Sequence, residues 1–175
     1  MPLQQRDDLG FASNRVEAIP TWGFPGLPCS LVTIAGYYNN LFVGVVGCRP
    51  ERRADGKQRL YVAVLAVLPA YRGLGIGTKM LQSVLDELPK HEEYVEVYLH
   101  VHTPNTRAVA LYERLGFQNV GVIKGYYTAA ELTPPDCVLL RFTVGDAAPT
   151  VDLEHGGLGA PVPVVPTTAA AASSS

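Results

Sequence analysis

Cysteine, excess charge of one sign and long apolar runs are all scarce in this 175-residue chain. The three cysteines, Cys29, Cys48 and Cys137, are scattered and odd in number. They form no CxxC pair and no metal-ligand spacing, which argues for free thiols in a reducing compartment rather than disulfides or a structural metal. The formal net charge of -2 comes with no basic stripe, so the phosphate-neutralising term that general nucleic-acid binding needs is missing. The first residues, Met1-Pro-Leu-Gln-Gln-Arg-Asp-Asp8, hold no apolar h-region, and no later run is long enough to span a bilayer. The expectation is a soluble cytoplasmic protein, with a nuclear pool also open, that binds neither nucleic acid directly nor membrane.

The 47% hydrophobic content suits one folded domain with tails. Residues 1–36 carry Pro2, Pro20, Pro25 and Pro28 with Gly10, Gly23, Gly26 and Gly36, a composition that suits loops and leaves room for at most one short helix near Ser13 to Ile19. Leu41 to Cys48 and Leu60 to Val67 read as strands, the second with no polar face, as for a strand covered on both sides. Pro50 to Gln58 between them reads as a solvated polar turn. From Gly75 to Leu88 apolar residues recur at helical spacing, and Pro89 ends that helix. Tyr94 to Val101 is a strand, Arg107 to Leu115 a short helix capped by Gly116, and Phe117 to Ile123 and Val138 to Val144 two closing strands. The order implies a mixed α/β (α+β) domain over 37–144, a twisted mixed sheet with helices on both faces. Residues 145–175, rich in Pro, Gly, Ala and Ser, read as a disordered tail.

The most informative stretch is Val67-Leu-Pro-Ala-Tyr-Arg-Gly-Leu-Gly-Ile-Gly-Thr-Lys-Met80. An apolar strand meets Arg72-Gly73-Leu74-Gly75-Ile76-Gly77, and a helix starts within the glycines. Glycine lets backbone approach a ligand closely, and the first helical amides have no internal partner, so the junction is an anion cradle. It is neither a Walker A loop nor a dinucleotide fingerprint, because the glycine spacing differs from both.

The spacing Arg72-x-x-Gly75-x-Gly77 resembles the pyrophosphate-binding motif of the Gcn5-related N-acetyltransferases (GNAT). Asn105, Ala108 and Leu111-Tyr112-Glu-Arg-Leu-Gly116-Phe117 resemble the later cofactor motif of that superfamily. Within it, Arg59-Leu-Tyr61, Gly75 to Leu81, Tyr98-Leu-His-Val101 and Gly125-Tyr-Tyr127 resemble the catalytic subunit of the NatE class of N-alpha-acetyltransferases. The likeness implies a GNAT fold with its first strand and helices shortened or missing, acetyl-CoA as co-substrate, no metal, and acetyl transfer to protein N-termini that keep the initiator methionine. It also implies as partners the auxiliary and second catalytic subunits of a ribosome-associated complex.

A peptide α-amine has a pKa near ~7.7–8.0, so it must lose a proton before it attacks a thioester. His100, ordinarily near ~6.5, is the natural base. Tyr61, ordinarily near ~10, is better suited to orienting a water. The resemblance makes Tyr61 and His100 the pair that holds this water. It places the pyrophosphate on Arg72, Gly73, Gly75, Gly77 and Thr78, and the pantetheine arm on Asn105 and on the backbone from Leu65 to Val67, where an amide polarises the thioester carbonyl. It puts Tyr112 near the sulfur, as the donor to the leaving thiolate. Phe24, Pro25 and Gly26 correspond to the methionine-pocket loop and Tyr126 and Tyr127 to a peptide-binding tyrosine pair. The family pattern Phe-Pro-Val-x-Tyr reads here Phe24-Pro25-Gly26-Leu27-Pro28, which removes contact area and a hydroxyl.

Read from the residues alone, Tyr61 serves equally as a strand aromatic, His100 as a structural histidine, Tyr112 as core packing, and Tyr126 and Tyr127 as a loop clasp. His91, His102 and His155 read as solvated. Two other functions fit the motifs: a GNAT enzyme acting on lysine side chains or a small amine, and an inactive cofactor-binding subunit that serves assembly.

Overall fold

Where a short helix was the most the N-terminal region suggested, Asn14–Ile19 forms a six-residue strand, β1. Its residues pair antiparallel with β2 (Val32–Tyr38), from Asn14↔Tyr38 to Ile19↔Thr33. A helix this short has little stability of its own, whereas a neighbouring strand satisfies the same backbone groups at once. The first strand of the fold is therefore present. The structure, a computed structural model, describes residues 14–19, 32–127, 132–145 and 164–166. Among the described residues no α-helix precedes Ile76, and no helix is long and apolar enough to cross a membrane.

The chain divides into two units, one containing residues up to Pro50 together with Val62–Leu88, the other Glu51–Tyr61 together with the residues from Pro89 onward. In the first, β2 turns into β3 (Leu41–Arg52) through Asn39 and Asn40, whose φ values of 48° and 64° are those of a two-residue type I′ turn. Helix α1 (Ile76–Glu87) buries Ile76, Met80, Leu81, Val84 and Leu85, and packs against β1 and β2. Each such side chain contributes roughly 1.5–3 kcal/mol. Gly36, a loop signal in the sequence, is needed for that packing. A Cβ there would lie 2.7 Å from Ile76 Cγ2 and 2.8 Å from Met80 Sδ.

In the second unit the first residues of β4 (Gln58–Val67) run parallel to β5 (Tyr94–His102), from Gln58↔Tyr94 to Tyr61↔Tyr98. Strand β7 (Cys137–Thr143) pairs antiparallel with β5 and with β6 (Gln118–Ile123), so this part of the sheet is mixed. Helix α2 (Thr106–Arg114) packs against β7. Within the expected tail, β8 (Val164–Pro166) pairs with β6; 146–163 and 167–175 lie outside the described residues. Alternation along β5 puts Glu96, Tyr98, His100 and His102 on one face.

Two other expectations change. β3 continues through Pro50 to Arg52, and the Glu51 and Arg53 side chains are only 14% and 7% exposed, so the exposed turn shrinks to Ala54–Lys57. β4 is not covered on both sides, because Ala63, Val64 and Ala66 are exposed beyond the end of its ladder with β5.

Candidate active site

The glycine-rich turn belongs to the first unit. Gly73 and Gly75 have φ of 81° and 76°, a left-handed conformation that other residues rarely adopt, and Gly75 is the N-cap of α1. The first intrahelical bond runs from Lys79 N–H to the Gly75 carbonyl at 2.9 Å. The amides before it are those a helix cannot bond internally, and neither an acidic residue nor a side-chain cap occupies the first turn. Arg72 donates from Nε to the Val67 carbonyl at 2.9 Å, tying the turn to the end of β4. Gly77 is different from the other two glycines. A Cβ there would meet only Val67 Cγ2, at 3.6 Å, an ordinary contact. The fold tolerates a side chain at 77, so what glycine preserves is open surface beside the exposed Thr78. Leu65 and Val67 are half-buried within the exposed half of β4. These groups fit a pyrophosphate followed by an extended amide-containing arm.

The second unit brings Tyr61, His100 and Tyr126 together. The Tyr61 and His100 ring centroids are 5.7 Å apart. Tyr126 stacks on His100 at 4.3 Å with 23° between planes, and its hydroxyl lies 3.1 Å from His100 Nδ1. Burial pushes the Tyr126 phenol well up, and the neighbouring Tyr61 phenol, to which it is hydrogen-bonded, adds to the shift. Tyr126 thus stays a neutral hydroxyl at physiological pH. Tyr127 stands edge-on to Tyr126 at 5.0 Å, and burial raises its phenol to about 12. Tyr98, Ile123, Cys137 and Leu139 form the core beneath these rings. The Cys137 and Cys48 thiols are free and buried, both raised to about 12 by burial, and so are protonated and unreactive at neutral pH.

A clasp holds the segment that carries the two tyrosines. Asp136 accepts from Lys124 Nζ at 2.7 Å and from the Gly125 amide at 2.9 Å, and these bonds hold its carboxyl below its ordinary value. The Tyr127 amide donates to the Pro135 carbonyl at 2.9 Å. His102 is not merely solvated. It is half-buried, with Nε2 2.7 Å from the Pro134 carbonyl and its ring edge-on to Tyr127.

Asn105 caps α2, its Oδ1 accepting from the Ala108 amide at 3.2 Å, so its carboxamide nitrogen is the group it can offer a ligand. Tyr112 is 8% exposed and edge-on to Phe117 at 5.6 Å. Phe24, Pro25 and Gly26 lie outside the described residues. Among the described residues no group of three His, Cys, Asp or Glu could hold a metal.

The sequence pattern of the Acetyltransferase (GNAT) family matches residues 10–117. The chain belongs to the GNAT family. It is 39% identical over 105 residues to N-alpha-acetyltransferase 50 of Danio rerio, covering 60% of this chain and 61% of that one. With the probable N-acetyltransferase san of Drosophila melanogaster it shares 35% over 113 residues, 65% of this chain and 60% of that one. The chain thus spans about three fifths of the length of these curated relatives. Among solved structures, Arabidopsis thaliana Naa50 in complex with the bisubstrate analogue CoA-Ac-MVNAL superposes with a TM-score of 0.57 at 40% identity, covering 63% of this chain and 71% of that one. The mixed α/β fold expected from the resemblance is the GNAT fold.

Sequence reasoning missed a charged group in this GNAT chain. Glu96 lies 3.6 Å from Arg53 Nη1, 3.3 Å from Arg141 Nε and 4.0 Å from Arg59 Nη1. Glu51 Oε2 accepts from Arg59 Nε at 3.2 Å and from the Tyr98 hydroxyl at 2.6 Å. Of these, only Arg59 and Tyr98 lay inside a recognised motif. Glu51 and Arg53 looked like members of a polar turn, and only the pairing Arg59↔Glu96 on adjacent strands could have hinted at the ion pairs.

Proposed function

We propose that the chain transfers acetyl from acetyl-CoA to the α-amino group of protein N-termini, those retaining the initiator methionine, as NatE-type enzymes do. The observation that carries this reading is the clustering of Tyr61, His100 and Tyr126 in a chain that also keeps the anion-binding turn. The relative seen with a CoA-Ac-MVNAL analogue supports the peptide class.

Acetyl-CoA, when bound, supplies the acetyl group as a thioester. His100 accepts the proton of the incoming ammonium through a water that Tyr61 helps to place. Tyr126 fixes the imidazole plane by stacking and by its hydroxyl contact at Nδ1. A general base of this kind is worth about 10²–10⁴-fold. The neutral amine then attacks the carbonyl carbon, and a backbone amide between Leu65 and Val67 holds the developing oxyanion. The C–S bond breaks as the amide bond forms; Tyr112 gives its hydroxyl proton to the thiolate, and the second proton that the nitrogen loses restores the Tyr112 hydroxyl. Arg72, Gly73, Gly75, Gly77 and Thr78 hold the pyrophosphate, with the positive end of α1 adding a favourable field. Asn105 holds the pantetheine arm, and Phe24, Pro25, Gly26 and Tyr127 the peptide. The natural partners are the auxiliary and second catalytic subunits of a ribosome-associated complex, in the cytoplasm.

A panel of peptides with free or blocked N-termini, incubated with protein and acetyl-CoA, tests this. Acetylation confined to free Met-Leu or Met-Lys starts supports the reading. Modification of blocked, lysine-containing peptides alone would replace it with a lysine acetyltransferase.

A further inference from the structure

The charged group and the aromatic cluster share one surface of the second unit. Along β5, Glu96, Tyr98 and His100 follow at two-residue intervals on one face, and on β4 Arg59 and Tyr61 stand opposite Glu96 and Tyr98. Tyr98 is the link. It is 3% exposed, and its hydroxyl donates to Glu51 Oε2 at 2.6 Å, a short charge-assisted bond. The Arg59 guanidinium, itself bonded to Glu51, lies 4.8 Å from the Tyr98 ring centroid. The same ring meets the reactive pair: its centroid is 5.1 Å from that of Tyr61, tilted by 40°, and 5.8 Å from that of His100, edge-on at 85°.

We infer that Tyr98, anchored by Glu51, is a positioning residue that sets the mutual orientation of Tyr61 and His100. The inference rests on the proposed catalytic role of those two residues. Neither Glu51 nor Tyr98 needs to touch substrate. The carboxylate fixes the phenol, and the phenol ring is a wall against which both neighbouring rings take their angles. Arg59 pairs with Glu51 and orients it, and Glu96, paired with Arg53 and Arg141, also faces Arg59. The two hydrogen bonds that Glu51 accepts, from Arg59 and from Tyr98, are directional and fix the phenol more narrowly than apolar packing would.

The test compares Tyr98→Phe, Glu51→Ala, Glu51→Gln and the pair Tyr98→Phe/Glu51→Ala with wild type and His100→Ala. Tyr98→Phe removes only the hydroxyl, and Glu51→Gln keeps an acceptor for it. The expected result is a fall in kcat of about tenfold for Tyr98→Phe and Glu51→Ala, with KM for acetyl-CoA unchanged. Recovery toward wild type in Glu51→Gln and no further loss in the double variant are expected as well. The ring resonances of His100 should shift in Tyr98→Phe. If His100→Ala is inactive but Tyr98→Phe and Glu51→Ala keep wild-type kcat and unshifted His100 resonances, the inference is overturned while the catalytic reading stands. Full turnover by His100→Ala overturns the catalytic reading and this inference with it. Should Glu51→Ala prove unfolded, Tyr98→Phe alone decides by the same two readouts.

Discussion

Gly73, Gly75 and Gly77 look equivalent in the sequence but do different things. The first two satisfy left-handed backbone, whereas Gly77 sits in the first turn of α1 with space around it. Gly77→Ala should therefore leave melting unchanged or raise it, since alanine favours a helix over glycine by roughly 0.5–1 kcal/mol. The same change should weaken acetyl-CoA binding by about tenfold or more, read by calorimetric titration, because it adds a methyl group at the proposed pyrophosphate site beside the helix amides. Tyr112 offers a second residue-scale distinction. Tyr112→Phe keeps the ring that packs on Phe117. Loss of kcat by about 10²-fold with unchanged melting would mark the hydroxyl as a proton donor; unchanged kcat would mark it as packing.

At the scale of elements, α1, α2 and β5 were legible because each announces itself locally, by helical periodicity, an Asn cap or a β-branched run. β1 and β2 were not, because β1 takes its form from pairing with β2 rather than from a local pattern, and in β2 Gly36 serves a helix forty residues later rather than a turn. Gly36→Val should destabilise the first unit by roughly 1–3 kcal/mol through overpacking against Ile76 and Met80, measured by urea denaturation. The Asp136 clasp was equally silent in the sequence. Its carboxyl is held below the unfolded value near ~3.9, so its stabilising contribution is complete above that value and is lost as pH falls through the lower folded one. Asp136→Asn should remove that acid-dependent component and, at neutral pH, reduce kcat by loosening the segment that carries Tyr126. A pH series of melting curves, with turnover at pH 7.5, checks both.

For the whole molecule, the motifs disclosed the family and the fold, and they named Tyr61 and His100 before their rings were seen together. They could not disclose Glu51 as a partner of Tyr98, since 47 residues separate the two and nothing local marks the contact. Nor could they show that Tyr126 lies on His100, because that contact depends on how Lys124, Gly125 and Tyr127 are held by Pro135 and Asp136. Substrate choice is the whole-molecule property most open to the altered Phe24-Pro25-Gly26-Leu27-Pro28 sequence. On the proposed reading, in which these residues meet the substrate methionine with less side-chain area, Met-Leu and Ser-Leu starts should differ in kcat/KM by less than in a chain that carries Phe-Pro-Val-x-Tyr, a comparison made by placing Val at 26 and Tyr at 28.

One measurement bears most directly on the claim that this chain is an N-alpha-acetyltransferase using His100 as its base. Wild type and His100→Ala are given acetyl-CoA and a peptide beginning Met-Leu, and the product is quantified and its acetyl group located by fragmentation mass spectrometry. The account predicts acetyl on the α-nitrogen, a kcat lower by about 10²-fold or more in His100→Ala, and equal acetyl-CoA affinity in the two proteins. Equal turnover in both, or tight acetyl-CoA binding by wild type with no acetylated peptide, would contradict it.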